Sequence, residues 1–131
     1  MIGIDTNILL RFFIKDDPIQ TPLAVRTLYG LTPEQPGWIS LIVLAELTWT
    51  FRRIFKLDRT AIAGAVAKLL NSQDMVLEMA DVVRQALTLY TATRADFADC
   101  VIAVSARSAG CSTIATFDKI AARDAGMLLI K

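Results

Sequence analysis

The chain has 131 residues, 54% of them apolar and 21% charged, with a net charge of +1. That length fits a single domain over residues 1–131, the apolar share excludes a disordered chain, and the scattered basic residues exclude long duplex binding driven by counterion release. The longest apolar stretches are broken by Glu46, Asp99 and Arg107, so no membrane-spanning helix is expected.

Ile2 to Ile4 reads as a first short strand, followed by an Asp5-Thr6-Asn7 turn and a helix over Ile8 to Ile14. Asp16-Asp17-Pro18 fits the start of a second helix ending at Gly30, since Asp caps well and Pro suits a first turn. After a Pro-rich connector, Trp38 to Ser40 reads as a second strand and Leu41 to Phe55 as a helix, with another over Arg59 to Leu70. Met75 to Met79 is a third strand. Helices are expected over Ala80 to Thr93 and Phe97 to Ala109, the latter stopping at Gly110. Ser112 to Thr116 and Met127 to Ile130 read as final strands flanking a short helix over Lys119 to Asp124. Strands alternating with helices imply an α/β fold, a mostly parallel central sheet covered on both faces.

The opening Met-Ile-Gly-Ile-Asp lacks a basic leader or small-residue cleavage site and reads as the start of a cytoplasmic protein. In that setting Cys100 and Cys111, both in apolar surroundings, are expected to be buried thiols rather than a disulfide. The apolar surplus suggests a subunit or partner interface.

Thirteen acids are present and no histidine. Ligands of open parallel sheets bind beyond the carboxyl ends of the strands, which singles out Asp5 after strand one, Glu46 in the helix after strand two, Asp99 in the first turn of its helix, and Asp118 after strand four. Asp16, Asp17, Glu34, Asp58, Asp74 and Asp124 fall away from that edge, whereas Glu78 and Asp81 are less clearly excluded. Four converging carboxylates repel by roughly 3 kcal/mol per pair at about 5 Å and an effective dielectric constant of about 20. A divalent cation offsets this, and an all-oxygen donor set favours Mg²⁺ or Mn²⁺ over zinc. The chemistry natural to such a site is phosphodiester hydrolysis.

Each acid also has a plainer reading. Asp5 and Asp118 fit helix caps, and Asp96 and Asp99 fit a cap and an N3 acid. Glu46 lies within Leu41-Ile-Val-Leu-Ala-Glu-Leu, where an unpaired buried charge is costly, so function is the better reading there.

Ile4-Asp-Thr-Asn-Ile-Leu, Leu44-Ala-Glu-Leu, Asp96-Phe-Ala-Asp-Cys-Val-Ile-Ala and Thr116-Phe-Asp together resemble the PIN domain, specifically the VapC-like toxins of bacterial toxin-antitoxin pairs. The resemblance spans essentially the whole chain and rests on order and spacing more than on any one motif. It implies a three-layer α/β/α sandwich and Mg²⁺- or Mn²⁺-dependent endoribonuclease activity. It also implies a homodimer and neutralisation by a small VapB-like antitoxin. Its acidic set falls on Asp5, Glu46, Asp99 and Asp118, with Asn7 and Thr116 as polar supports and Asp96 beside Asp99. An antitoxin groove built from early helices would suit Phe12, Phe13, Trp49 and Phe55, which equally suit the core. Two other classes stand beside this one. The first is phosphotransfer through Asp5, weakened because position 7 is Asn where a second Asp is usual, and the second is an inactive RNA-binding or interaction module.

Overall fold

A computed structural model describes residues 1–131. Its helices are set by apolar stripes at helical spacing. The stripe of α3 (Leu41–Arg53) is Leu44, Leu47, Thr48 and Phe51, and that of α4 (Arg59–Asn71) is Ile62, Ala65, Val66 and Leu69. In α5 (Ala80–Ala92) it is Val82, Val83, Ala86 and Tyr90, and in α6 (Phe97–Ser108) Phe97, Cys100, Ala103 and Val104. These residues form one continuous core with Leu9 and Leu10 of α1 (Thr6–Phe13) and Leu28 of α2 (Gln20–Tyr29).

The strands are short and parallel. β1 (Ile2–Gly3), β2 (Gly37–Ile39) and β3 (Met75–Leu77) pair in that order, with Ile2 opposite Gly37 and Gly37 opposite Met75. Gly37 is required by this close approach: a Cβ there would meet Ile4 Cγ1 and Leu31 Cδ1 at 2.9 Å. β4 (Ala115–Thr116) and β5 (Leu128–Leu129) flank α7 (Lys119–Asp124) and pair with each other. The architecture is the expected three-layer α/β/α class with parallel strands. Its ladders are divided three and two, however, with Ile2 and Gly3 left exposed. The fourth strand is confined to Ala115–Thr116, because Cys111, Ser112 and Thr113 are exposed and bonded to no strand.

Three expectations are corrected. The first helix begins at Thr6, and the second at Gln20, because Asp17 accepts from the backbone of Ile19 and Gln20 in a turn ahead of it. Those two bonds hold the Asp17 carboxyl below its ordinary range. Cys100 is buried, and burial pushes its thiol up to about 11, but Cys111 is exposed. No helix is long and apolar enough to cross a membrane.

Candidate active site

Parallel strands joined by helices bring the amino-terminal ends of the helices that follow them to the strands' carboxyl ends. Asp5 follows β1 and Asp118 follows β4, whereas Glu46 lies in the second turn of α3 and Asp99 in the first turn of α6, which follows α5. Asp5 occupies the N-cap position of α1, yet its exposed side chain makes no capping bond. Capping therefore does not explain why an acid stands at that position. Asn7, one residue into the helix, is also exposed. Thr6 between them donates from Oγ1 to Glu46 Oε1 at 3.0 Å, joining the start of α1 to α3.

Glu46 is exposed, which corrects the expectation of a charge buried within an apolar helix. The apolar residues before it divide between faces: Leu44 and Leu47 enter the core while Ile42 is 72% exposed on the side that carries Glu46. The start of α3 is held by two caps. Ser40 Oγ accepts from Val43 N at 3.1 Å, and Glu78 Oε1 accepts from Leu41 N at 2.8 Å. Glu78 is thereby assigned to capping the start of α3, and Asp81 forms only an exposed pair with Arg84.

A second group of acids surrounds the start of α6. Asp96 takes the N-cap backbone position without a side-chain cap, its carboxylate instead pairing with Arg52 of α3. Asp99, in the first turn, is partly buried. That burial raises its carboxyl above the usual range, and the charges of Asp118 and then Asp96 raise it further, against a lowering by Arg52. Asp118 does cap: its Oδ1 accepts from Ala121 N at 2.9 Å, while Thr116 Oγ1 accepts from Asp118 N at 3.0 Å. A single carboxylate has capacity for a cap and a further ligand.

Arg59 fixes the segment that carries Asp96 and Asp99. Its guanidinium lies 3.8 Å from the centroid of the Tyr90 ring and donates to the carbonyls of Tyr90, Arg94 and Ala95. These carbonyls end α5 and lead into α6. Neither Arg52 nor Arg59 was singled out from the sequence, since each meets its partners only across more than 30 positions. Thr6 stood within the Asp-Thr-Asn turn and was the nearest to legible.

The acids therefore form two groups, Asp5 with the Thr6–Glu46 pair and Asp99 with Asp96 and Asp118. The all-oxygen chemistry suits a hard divalent cation. No three acidic or thiol side chains stand close enough together to hold one ion.

The fold defines the class: a parallel α/β domain with an acid, Asp5, just after its first strand. The PIN domain model matches residues 2–126, and the chain belongs to the PIN domain family. Members of this family are generally metal-dependent nucleases that use divalent ions and bind RNA. No curated protein sequence matches the chain significantly.

Proposed function

We propose that the protein is a Mg²⁺- or Mn²⁺-dependent endoribonuclease, the VapC-like toxin of a toxin-antitoxin pair, acting in the cytoplasm as a homodimer and held in check by a small VapB-like antitoxin. The observation that carries this reading is family membership over residues 2–126, with uncapped Asp5 at the carboxyl end of β1. Asp5, Glu46, Asp99 and Asp118 are the residues that would hold the ion. When bound, a divalent cation supplies an activated water and offsets the charge developing on the phosphate.

The protein's own residues do the rest. Thr6 orients Glu46, Arg52 keeps Asp96 occupied beside Asp99, and Thr116 and Asp118 fix the turn between β4 and α7. Asn7 is exposed next to Asp5 and free to contact a phosphate oxygen. Partial burial, then the charges of Asp118 and Asp96, raise the carboxyl of Asp99 above its ordinary range, so a bound cation would offset the repulsion there.

An inactive RNA-binding module of the same fold is the second reading, favoured because no three acidic side chains stand close enough together to hold an ion. Cleavage decides between them. Purified, partner-free protein is expected to cut RNA with Mg²⁺ or Mn²⁺ and to stop in EDTA. Cleavage that persists in EDTA would overturn the metal mechanism, and RNA bound without cleavage would favour the inactive module. For the toxin role, a small DNA-binding protein encoded next to this one should abolish the toxicity of the expressed chain.

A further inference from the structure

Of the four aromatic residues singled out in the early helices, Phe12, Phe13 and Phe55 pack against the core, and Trp49 alone stands 58% exposed. It lies one helical turn beyond Glu46 on α3, and Arg52 lies three residues further on. Trp49 and Arg52 line one side of a cleft whose other wall is Asp96, Phe97 and Ala98, with buried Ile62 and Tyr90 beneath. Asp96 of one acid group lines the cleft, and Glu46 of the other lies one helical turn before Trp49 on α3. Arg52 uses one nitrogen on Asp96 and keeps the remainder of its half-exposed guanidinium available, and Arg53 is exposed on the Glu46 side of the helix.

Resting on the ribonuclease reading above, we infer that this cleft is a nucleotide subsite. The indole of Trp49 stacks on an unpaired base next to the scissile phosphate, and Arg52 contacts that nucleotide's phosphate. An aromatic face with an adjacent guanidinium is the usual means of holding single-stranded nucleic acid without reading its sequence. Every base offers a ring to stack on, whereas a paired base does not expose one. The subsite therefore selects single-stranded segments, and its position sets which nucleotide beside the cut must be unpaired. A protein partner would match this cleft poorly at its centre, where the Arg52–Asp96 pair would have to be desolvated.

The test is binding of a short single-stranded oligoadenylate in EDTA, where no cleavage is expected, read by indole fluorescence. Trp38 is the only other tryptophan and gives a common background in wild type and Trp49→Phe. Wild type is expected to be quenched by the oligomer and Trp49→Phe is not. Trp49→Ala is expected to bind roughly ten- to thirtyfold more weakly, with Trp49→Phe within about threefold of wild type. Arg52→Gln is expected to lower the dependence of log affinity on log salt by about 0.7, one phosphate contact on a single strand. The duplex with oligouridylate should bind more weakly than the single strand. Unchanged affinity in Trp49→Ala, or absence of quenching in wild type, would overturn the subsite. So would a Trp49→Ala protein that binds RNA normally but no longer self-associates in sedimentation, since the indole would then belong to a contact between copies. The same RNA with Mg²⁺ separates the two readings: quenching without cleavage removes the nuclease and leaves the subsite, and cleavage with unchanged Trp49→Ala binding does the reverse.

Discussion

Thr6 Oγ1 donates to Glu46 Oε1 at 3.0 Å, so the residue after Asp5 orients the acid of a helix 40 positions away. A hydroxyl in this position fixes the carboxylate's direction, as partners of metal-binding acids commonly do. Thr6→Val is expected to lower cleavage by about ten- to a hundredfold, and Thr6→Ser to restore most of it. Both variants should keep wild-type far-ultraviolet circular dichroism. Equal activity in Thr6→Val and wild type would show that Glu46 needs no orienting partner.

The cap that Asp118 makes and its proposed role as a cation ligand can be separated, because Asn caps a helix as well as Asp does but is a far poorer cation ligand. Asp118→Ala loses the bond to Ala121 N and is expected to cost about 1 kcal/mol of stability. Asp118→Asn should hold stability within a few tenths of a kcal/mol while losing activity on the order of a hundredfold. Denaturant melts and initial rates measured on both proteins decide this. Full activity in Asp118→Asn would make the residue a cap and nothing more.

Asp99 is expected to limit stability at neutral pH. Its carboxyl holds a proton more tightly in the folded protein than the ordinary value of 3.8, through partial burial and then the charges of Asp118 and Asp96. Folding is therefore penalised increasingly as pH rises from 3.8 to the raised value, by a constant amount above it, and the penalty is absent below 3.8. Asp99→Asn should have a higher Tm than wild type at neutral pH in EDTA, an advantage that shrinks to nothing in acid. A lower Tm at neutral pH would mean that the Asp99 carboxylate is stabilised by its surroundings. Such a trade of stability for function is common at active sites.

Arg59 closes the α5–α6 connection with three carbonyl acceptors and the Tyr90 ring. Arg59→Ala is expected to destabilise the fold by roughly 2–3 kcal/mol, since it leaves half-buried carbonyls without a donor and removes the stacked cation. Arg59→Lys should recover only part of this, because a single ammonium cannot reach three acceptors and stack at once. Urea unfolding midpoints measure both effects. A loss under 1 kcal/mol in Arg59→Ala would mean that water satisfies those carbonyls equally well.

The legible parts of the molecule were those that rest on local pattern. Alternating strands and helices gave the fold class, and Asp58, which accepts from Ala61 N, marks a helix start that its place before Arg59 already suggests. Glu46 shows the limit of such reading. Its neighbours in sequence are apolar, but Leu44, Leu47, Thr48 and Phe51 recur at helical spacing and leave position 46 on the opposite, exposed side. Asp96 had the position of a cap, and only folding brings Arg52 across 44 residues to take its carboxylate. Phe12 and Trp49 read alike in the sequence, and only packing separates them: Phe12 lies edge-on to Phe13 with Lys15 and Lys68 over its ring, whereas Trp49 is left in solvent. The extent of the fourth strand was also not legible, because Ser112 and Thr113 have the composition of a strand but no neighbour to pair with, the ladder to β5 beginning only at the carbonyl of Ile114.

The proposal that both groups of acids serve one cation requires them to draw closer than they stand in this structure, and Mn²⁺ titration followed by electron paramagnetic resonance tests it most directly. Wild type, Asp5→Asn from one group and Asp99→Asn from the other would be titrated, with RNA cleavage measured on the same samples. The expected result is one tight binding phase in wild type that both single variants lose, together with cleavage. Tight binding retained in either variant, or cleavage retained in both, would contradict a shared metal centre.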